Sequence, residues 1–429
     1  MSDLSARNKK LADPTPFDRY KVPPKQNFFL MPLIWLYCFF ATRSGHLKIH
    51  RRNMKGLKPP YIVFCSHHAW MDFYVTPLAL FPHRANYVSE MEGFEFFGEW
   101  AYRQIGCLGT RKFVNDIALV RNIKRCIQRK GIVVIYPEAR YANVGTSSEL
   151  PPSVGKLVKS LGVPVVCVDM RGNYIQSPIW NTKMRKQARL DTEIVQLLTS
   201  EQTANMTHEQ ITQAISGYLT YDDYAYQFEN RIKIDVPWRA EGLHKVLYRC
   251  PECNSDFSMR SEGAELFCEN CGSRVTMDDC GRLVQGAEPY RFPHIPDWYE
   301  WQRQCVIEEI ESGGYKLSAQ VHIEALPGSR CFLDCGTGHL IHDKDGFSLT
   351  FTDFGETKEK TMHFSPASMF SVHTEYNYRK RGVCITLSTP DCTYFLFPQS
   401  PGFNPTKIQF AAEYLHKRTL GDNITGKRE

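Results

Sequence analysis

The stretch that decides the fold reads Tyr61-Ile62-Val63-Phe64-Cys65-Ser66-His67-His68-Ala69-Trp70-Met71-Asp72. Its first five residues are apolar or small, which is typical of a buried strand, and the polar residues that follow end that strand. A histidine beside an acid is a common general base, because the pKa of histidine lies near neutrality and a carboxylate fixes its tautomer. The stretch therefore predicts either a catalytic His–Asp pair or a structural histidine that is hydrogen-bonded at a strand end.

The spacing leaves open which histidine contacts Asp72. On a continuous helix, His68 and Asp72 would share one face and His67 would point away from them. His67 reaches Asp72 only if the histidine lies in a loop and the acid lies in the first helical turn. Geometry alone therefore favours His68.

Ser66, His67, four further residues and Asp72 resemble the His-x4-Asp box of the glycerolipid acyltransferases, the family that contains lysophosphatidic acid acyltransferase. In that family the histidine lies in the loop and is the general base. The resemblance therefore implies that His67 and Asp72 are catalytic.

A second box is indicated by Gly106-Cys107-Leu108-Gly109-Thr110-Arg111. It resembles the family pattern of a glycine, a short strand and an arginine. The resemblance implies that Arg111 binds the phosphate of the acceptor, beside Gly109 and Thr110, and a guanidinium suits this role as a permanently charged fork. A surface Arg–Lys pair after a turn is the competing interpretation.

A third box follows residues 132–135, a continuous apolar run that predicts a buried parallel strand. The next residues, 136–141, resemble the family sequence Phe-Pro-Glu-Gly-Thr-Arg. Pro137 and Glu138 match it, whereas Ala139 replaces the glycine and the arginine is displaced by one place to Arg140. The resemblance implies that Glu138 helps to place the acceptor, with Pro137 and Arg140 in the binding site. A capping or salt-bridging acid is the alternative for Glu138.

The order of elements predicts the fold class. Strands and helices alternate up to residue 180, and an apolar strand with a proline at residues 162–168 fits the fourth box of the family. This alternation predicts an α/β domain with a mostly parallel sheet, over residues 61–238. The resemblance implies the fold of the glycerolipid acyltransferases.

The N-terminus differs in charge from the remainder of the chain. The 429 residues carry a net charge of +6, and residues 1–60 hold twelve Lys or Arg but three acids. Residues 28–40 are apolar and aromatic without a charge, too short to span a membrane and too apolar for a nucleic-acid arm. We expect residues 1–60 to be a basic arm with a membrane-interface segment, and a buried core helix is the alternative. Fifteen cysteines without a secretion signal favour the cytoplasmic face of the membrane, with peripheral or monotopic attachment.

Two further units are expected after residue 238. Two Cys-x2-Cys pairs, Cys250 with Cys253 and Cys268 with Cys271, predict a structural Zn²⁺ site in a zinc ribbon over residues 245–285. The ribbon is rich in acids, which argues against nucleic acid as a partner. Residues 298–429 read as a helix followed by seven short strands and a closing helix, resembling a pleckstrin-homology or GRAM-like domain.

Taken with these domains, the resemblance implies acyl transfer. The partners would be acyl-CoA or acyl carrier protein, a lysophosphatidic-acid-type acceptor and a membrane surface, without an organic cofactor. Two alternatives are open: an acyltransferase for another acceptor, such as glycerol 3-phosphate or an amine-bearing lipid, and a membrane scaffold without catalysis.

Overall fold

Three β-sheets organise the chain. A computed structural model describes residues 15, 17–22 and 24–425, apart from the side chains of residues 95–97 and 422–425. The sheets belong to an N-terminal α/β domain, a central ribbon and a C-terminal β-domain. Residues 1–14, 16 and 23 of the predicted N-terminal arm lie outside the described residues.

The N-terminal α/β domain contains seven strands and nine helices within the described residues. Its strands are β1 (Lys48–Arg52), β2 (Tyr61–Cys65), β3 (Asn86–Glu90), β4 (Cys107–Thr110), β5 (Ile132–Ile135), β6 (Val165–Arg171) and β7 (Asp191–Leu198). Its helices are α1 (Met31–Thr42), α2 (Asp72–Ala79), α3 (Phe94–Gln104), α4 (Ile117–Gln128), α5 (Ser153–Leu161), α6 (Asn173–Gln176), α7 (Ser200–Asn205), α8 (His208–Tyr218) and α9 (Asp223–Glu229).

The sheet of this domain has the strand order β1-β7-β6-β2-β5-β3-β4. Strands β6, β2, β5, β3 and β4 are mutually parallel, whereas β7 runs antiparallel to β6 and parallel to β1. The predicted mostly parallel α/β sheet is confirmed. Because β1 pairs with β7, the sheet begins earlier in the chain than the predicted domain boundary at residue 61.

The central strand β2 is buried along its whole length because helices cover both faces of the sheet. Ile62 and Phe64 pack in one apolar layer with residues of α4, α5 and α8. Tyr61, Val63 and Cys65 pack in the opposite layer with residues of α2. This alternation explains why the strand reads as a continuous apolar run.

Helix α1 leaves much of its apolar surface exposed. The exposed fractions are 63% for Leu33, 53% for Leu36 and 56% for Phe40, and Phe29 just before the helix is 85% exposed. Trp35 packs edge-on against Phe81, with ring centroids 5.0 Å apart. Among the described residues, no helix has both the length and the apolar character needed to cross a membrane.

The central ribbon is a five-stranded antiparallel sheet in the order β12-β11-β10-β9-β8. Its strands are β8 (Met259–Glu262), β9 (Glu265–Cys268), β10 (Arg274–Met277), β11 (Leu283–Gln285) and β12 (Glu288–Pro289). Helix α10 (Ile295–Glu311) follows the ribbon and leads into the C-terminal β-domain.

The C-terminal β-domain is a seven-stranded antiparallel sheet with a closing helix, α11 (Pro405–Thr425). Its strands are β13 (Leu317–Leu326), β14 (Leu333–Asp343), β15 (Gly346–Thr352), β16 (Glu359–Phe364), β17 (His373–Glu375), β18 (Cys384–Ser388) and β19 (Thr393–Pro398). Their order in the sheet is β16-β15-β14-β13-β19-β18-β17. This order of elements agrees with the sequence analysis, and the pleckstrin-homology or GRAM-like likeness stays a prediction.

One apolar cluster joins the three units. It contains Tyr174 and Tyr224 of the α/β domain, Leu266 of the ribbon, Trp298 of α10 and Phe410 of α11, all of them fully or almost fully buried. The C-terminal β-domain therefore packs on the α/β domain through this shared apolar cluster, and its contacts with the α/β domain are part of the fold.

Candidate active site

Parallel strands bring the predicted catalytic residues to one edge of the sheet. His67 follows the end of β2, Glu138 follows the end of the neighbouring β5, and Arg111 follows the end of β4. Open α/β sheets bind their ligands beyond the carboxyl ends of the strands. This edge is therefore the candidate active site.

His67 and Asp72 form a hydrogen-bonded pair. His67 lies in the loop after β2, and its Nδ1 is 3.0 Å from Oδ2 of Asp72, the first residue of α2. The same carboxylate oxygen accepts the backbone N–H of His68 at 2.7 Å and that of Ala69 at 3.1 Å. The carboxylate therefore shapes the loop and orients the imidazole, which is the arrangement in which His67 reaches the acid.

The ring of His67 lies among aromatic side chains. Its centroid is 4.4 Å from that of Tyr136, 4.6 Å from that of Tyr141 and 5.9 Å from that of Phe73. Burial lowers the pKa of His67, against the opposing effect of Asp72, so the ring is neutral near pH 7. When Nδ1–H is donated to Asp72, Nε2 is the basic nitrogen. The pair can therefore act as a general base.

Glu138 is buried, and both of its carboxylate oxygens have partners within the protein. Oε1 accepts the backbone N–H of His67 at 3.1 Å, and Oε2 accepts the backbone N–H of Ser148 at 2.7 Å and the hydroxyl of Tyr221 at 3.4 Å. Burial raises the pKa of Glu138 to about 7. These contacts connect the loop of His67 to the loop around Ser148. The role of Glu138 in placing an acceptor stays a prediction.

The third box contains a strained residue. Ala139 stands where the resembling box has a glycine, and its φ of +57° lies in the left-handed region. A Cβ atom makes this conformation unfavourable by about 1 kcal/mol. Pro137, two residues earlier, is buried and helps to fix the turn. The glycine of the resembling box would adopt the same backbone without this strain.

Arg111 lies in the interface with the C-terminal β-domain. Its guanidinium donates to the backbone oxygens of Leu326 at 2.9 Å, Pro327 at 2.8 Å and Asp391 at 3.0 Å, and to Oγ1 of Thr393 at 2.9 Å. The side chain is almost fully buried. An acceptor phosphate would have to replace these contacts, so the structure does not present Arg111 as a free cation beside His67.

Arg140 also contacts the C-terminal β-domain. Its guanidinium lies 2.6 Å from a carboxylate oxygen of Glu413 on α11, hydrogen-bonds to Ser371, and donates to Oγ of Ser148 at 3.3 Å. Burial alone would raise the pKa of Glu413, but Arg140 and Arg303 outweigh it and hold that pKa at about 2. These three charged residues line a cavity of about 460 Å³ between the two domains.

Gly109 and Thr110 have packing roles on β4. A Cβ atom on Gly109 would lie 3.0 Å from the ring of Phe17 and 3.1 Å from Met91, so a larger residue would make these side chains shift by a few tenths of an ångström. Oγ1 of Thr110 lies 3.4 Å from Oδ2 of Asp116, the N-cap of α4. Their predicted contact with substrate stays a prediction.

The sequence analysis missed a charged cluster at the same edge. Lys112 pairs with Glu90 at the end of β3, and its Nζ is 3.1 Å from Nε2 of His373 on β17. Nε2 of His373 is 3.0 Å from Oε1 of Glu375. Lys112 lowers the pKa of His67 and Glu90 raises it, so the cluster lies within electrostatic reach of the His67–Asp72 pair. Lys112 directly follows the second box, but nothing in the sequence linked it to a histidine 261 residues away.

The four predicted zinc ligands come together in the ribbon. The sulfur atoms of Cys250, Cys253, Cys268 and Cys271 all lie within 4.8 Å of one another. Two of the sulfur pairs, Cys250 with Cys271 and Cys253 with Cys268, are 3.8 Å apart. A tetrahedral Zn²⁺ with Zn–S bonds of about 2.3 Å requires sulfur separations of about 3.8 Å. The four thiols therefore fit a zinc ion.

The part of the chain that contains the His67–Asp72 pair is similar to a known protein family. Residues 46–171 match the model of the Acyltransferase family. This segment, which contains His67 and Asp72, is therefore similar to the domain of that family. The solved structure of the 1-acyl-sn-glycerophosphate (LPA) acyltransferase PlsC from Thermotoga maritima is similar at 14% sequence identity and a TM-score of 0.37, over 44% of this chain and 77% of that one. No curated protein matches the chain.

Proposed function

We propose that the protein is an acyltransferase that transfers a fatty acyl chain from acyl-CoA or acyl carrier protein to the hydroxyl of a lysophosphatidic-acid-type acceptor. The observation that carries the proposal is the buried, neutral His67 oriented by Asp72 within a domain of the Acyltransferase family. A scaffold without catalysis would not require a histidine held in this protonation state.

The proposed reaction proceeds without a covalent enzyme intermediate. The acceptor oxygen attacks the thioester carbonyl carbon while Nε2 of His67 takes the hydroxyl proton. The tetrahedral intermediate then collapses, the C–S bond breaks, and the imidazolium returns the proton to the leaving thiolate. Asp72 stabilises the imidazolium between these two steps and keeps Nε2 free, and such general-base catalysis contributes about 10²–10⁴ in rate.

The contacts of the basic residues bear on the headgroup of the acceptor. Arg111 and Arg140, the residues expected to bind phosphate, both contact the C-terminal β-domain. Lys112 lies within electrostatic reach of His67, forms an ion pair with Glu90, and opposes the rise that burial causes in the pKa of Glu375. A lysophosphatidic acid would use Lys112 for its phosphate, whereas the neighbouring carboxylates favour an amine-bearing lipid as the second candidate.

We also propose attachment to a membrane surface through α1. The exposed Leu33, Leu36 and Phe40, with the exposed Tyr37 for the headgroup layer, have the composition of an interfacial helix. Flotation with anionic liposomes tests this proposal. Leu36→Glu should lower the bound fraction, whereas Phe228→Glu, a matched change of an exposed aromatic on α9, should not. Equal flotation of both variants would contradict it.

We further propose that the four ribbon cysteines hold a structural Zn²⁺. Four thiolates would fill a tetrahedral site, so the ion would supply folding energy to the ribbon and take no part in acyl transfer. The cytoplasmic face of the membrane, a reducing environment, suits these thiols.

A panel of acceptors tests the proposed reaction. The purified protein is given each donor in turn, oleoyl-CoA or oleoyl-acyl carrier protein. Each donor is combined separately with lysophosphatidic acid, glycerol 3-phosphate or a lysolipid with a free amine, and products are measured by mass spectrometry. Phosphatidic acid as the main product supports the first proposal. A product from the amine-bearing acceptor alone would replace the acceptor but keep the reaction, and no acyl transfer to any acceptor would refute the proposal.

A further inference from the structure

A buried hydrogen-bond network lies behind the catalytic pair. Oδ2 of Asp72 serves His67, and its other oxygen, Oδ1, accepts a hydrogen bond from Nδ2 of Asn173 at 2.8 Å. Asn173 is completely buried and lies in α6, just beyond the segment that matches the Acyltransferase family. The orientation of the carboxylate therefore depends on a residue that the catalytic boxes do not include.

The backbone around Asn173 is itself held in place. Asp223, the first residue of α9, accepts the backbone N–H of Gly172 through Oδ1 at 3.0 Å and that of Tyr174 through Oδ2 at 3.0 Å. Gly172 has a φ of +83°, and a Cβ atom there would lie 2.0 Å from the backbone oxygen of Arg189. The turn that presents Asn173 is thus fixed on both sides, and it has little freedom to move.

The network closes on the catalytic loop through His68. Nδ1 of His68 is 3.1 Å from Oδ2 of Asp223, and Nε2 is 2.9 Å from Oγ of Ser66. The backbone N–H of His68 also donates to Asp72. The side chains of Ser66, His68 and Asp223 follow the bonding order of a nucleophile–base–acid triad, yet all three are completely buried. A substrate carbonyl cannot reach Ser66, so this trio supports the loop.

We infer that Asn173, presented by the Asp223-bound turn, is a positioning residue that holds the Asp72 carboxylate in the plane required by His67. The inference rests on the proposed function, because it assigns Asn173 to the acyl-transfer step. Asn173 acts through Asp72, so its loss should lower kcat while the KM values for donor and acceptor stay almost unchanged.

Asn173→Leu is the sharpest variant. Leucine has nearly the shape of asparagine, and Oδ1 of Asn173 is buried without a hydrogen-bond partner. The substitution therefore removes only the bonds of Nδ2, which are those to Asp72 and to Sδ of Met170 at 3.5 Å. Asn230→Leu, on the exposed end of α9, is the matched control.

The first measurement is steady-state acyl transfer. We expect Asn173→Leu to lower kcat by about 10- to 100-fold, the usual effect of removing an outer hydrogen-bond partner. KM should change by less than about threefold and the control should behave as wild type. A kcat within twofold of wild type would overturn the inference. So would a loss of folding in both Asn173→Leu and Asn173→Ala, because Asn173 would then serve stability alone.

The second measurement does not need turnover. The rate at which diethyl pyrocarbonate modifies His67, followed by peptide mass spectrometry across pH, reports the pKa of this ring in the presence of Asp72, Glu90, Lys112 and His373. Without the bond from Asn173, the Asp72 carboxylate leaves the plane required by His67 and its hydrogen bond to the ring weakens, so the midpoint should move down by about half a pH unit. An unchanged midpoint would overturn the inference. Absence of turnover in the wild type would instead refute the proposed function, with this measurement still valid.

Discussion

The pair formed by His68 and Asp223 makes the stability of the protein depend on pH. Burial alone would lower the pKa of His68, but Asp223, with Asp72 and Asp169 farther away, outweighs it and raises that pKa to about 9. The ring is therefore charged in the folded protein at neutral pH. Since it is completely buried, exposure to solvent does not weaken this effect.

The magnitude follows from the difference between the folded and unfolded pKa of His68. The folded value of about 9 stands against an ordinary value of 6.5. A raised pKa stabilises the folded state fully below pH 6.5, and this contribution is lost as the pH rises through 9. At about 1.4 kcal/mol per pH unit, His68 contributes about 3 kcal/mol at pH 6 that is absent at pH 10.

Urea unfolding of wild type and His68→Gln between pH 6 and pH 10, followed by tryptophan fluorescence, tests this reasoning. The free energy of unfolding should be larger for wild type than for His68→Gln at pH 6, and this difference should shrink by about 3 kcal/mol as the pH rises to 10. The pKa values of Glu92, at about 6, and of Glu138 and Glu375, at about 7, are raised by burial, but these groups titrate in both proteins. His83→Gln, on the surface, should follow wild type. A difference that stays constant with pH would refute the charged pair.

Three further predictions concern the third box, the domain interface and the ribbon. Ala139→Gly should raise the free energy of unfolding by about 1 kcal/mol because glycine adopts the left-handed backbone freely, and a lower urea midpoint would contradict this. Arg111→Ala should lower the free energy of unfolding by about 3 kcal/mol, because four hydrogen bonds to the C-terminal β-domain are lost, whereas the exposed Lys344→Ala should not. Cys268→Ser should abolish the binding of one equivalent of zinc, whereas Cys305→Ser should retain it, as measured by inductively coupled plasma mass spectrometry. Full zinc content in Cys268→Ser would contradict the proposed zinc site.

The choice of the histidine that contacts Asp72 shows what spacing can and cannot predict. Helical spacing favoured His68, whereas the resemblance favoured His67, and in the structure it is Nδ1 of His67 that contacts Asp72. The carboxylate accepts the backbone N–H groups of His68 and Ala69, and these bonds form the loop that brings His67 to it. Such a loop has no periodicity, so a pattern based on helical faces could not have predicted it.

The partners of the basic residues were not predictable from local sequence. Arg111 contacts Leu326 and Thr393, which follow it in the sequence by 215 and 282 residues. Arg140 contacts Glu413 in the last helix. The strands of the C-terminal β-domain could be read from alternating residues. Their packing against the candidate site could not, because it depends on how the domains dock.

Loss of the base is the most direct test of the proposed reaction. His67→Ala, His83→Ala and wild type are incubated with oleoyl-CoA and the preferred acceptor, and the acylated product is measured by mass spectrometry under single-turnover conditions. We predict that His67→Ala slows transfer by about 10²- to 10⁴-fold while acceptor binding is retained, and that His83→Ala matches wild type. Transfer by His67→Ala at the wild-type rate would contradict the assignment of His67 as the general base.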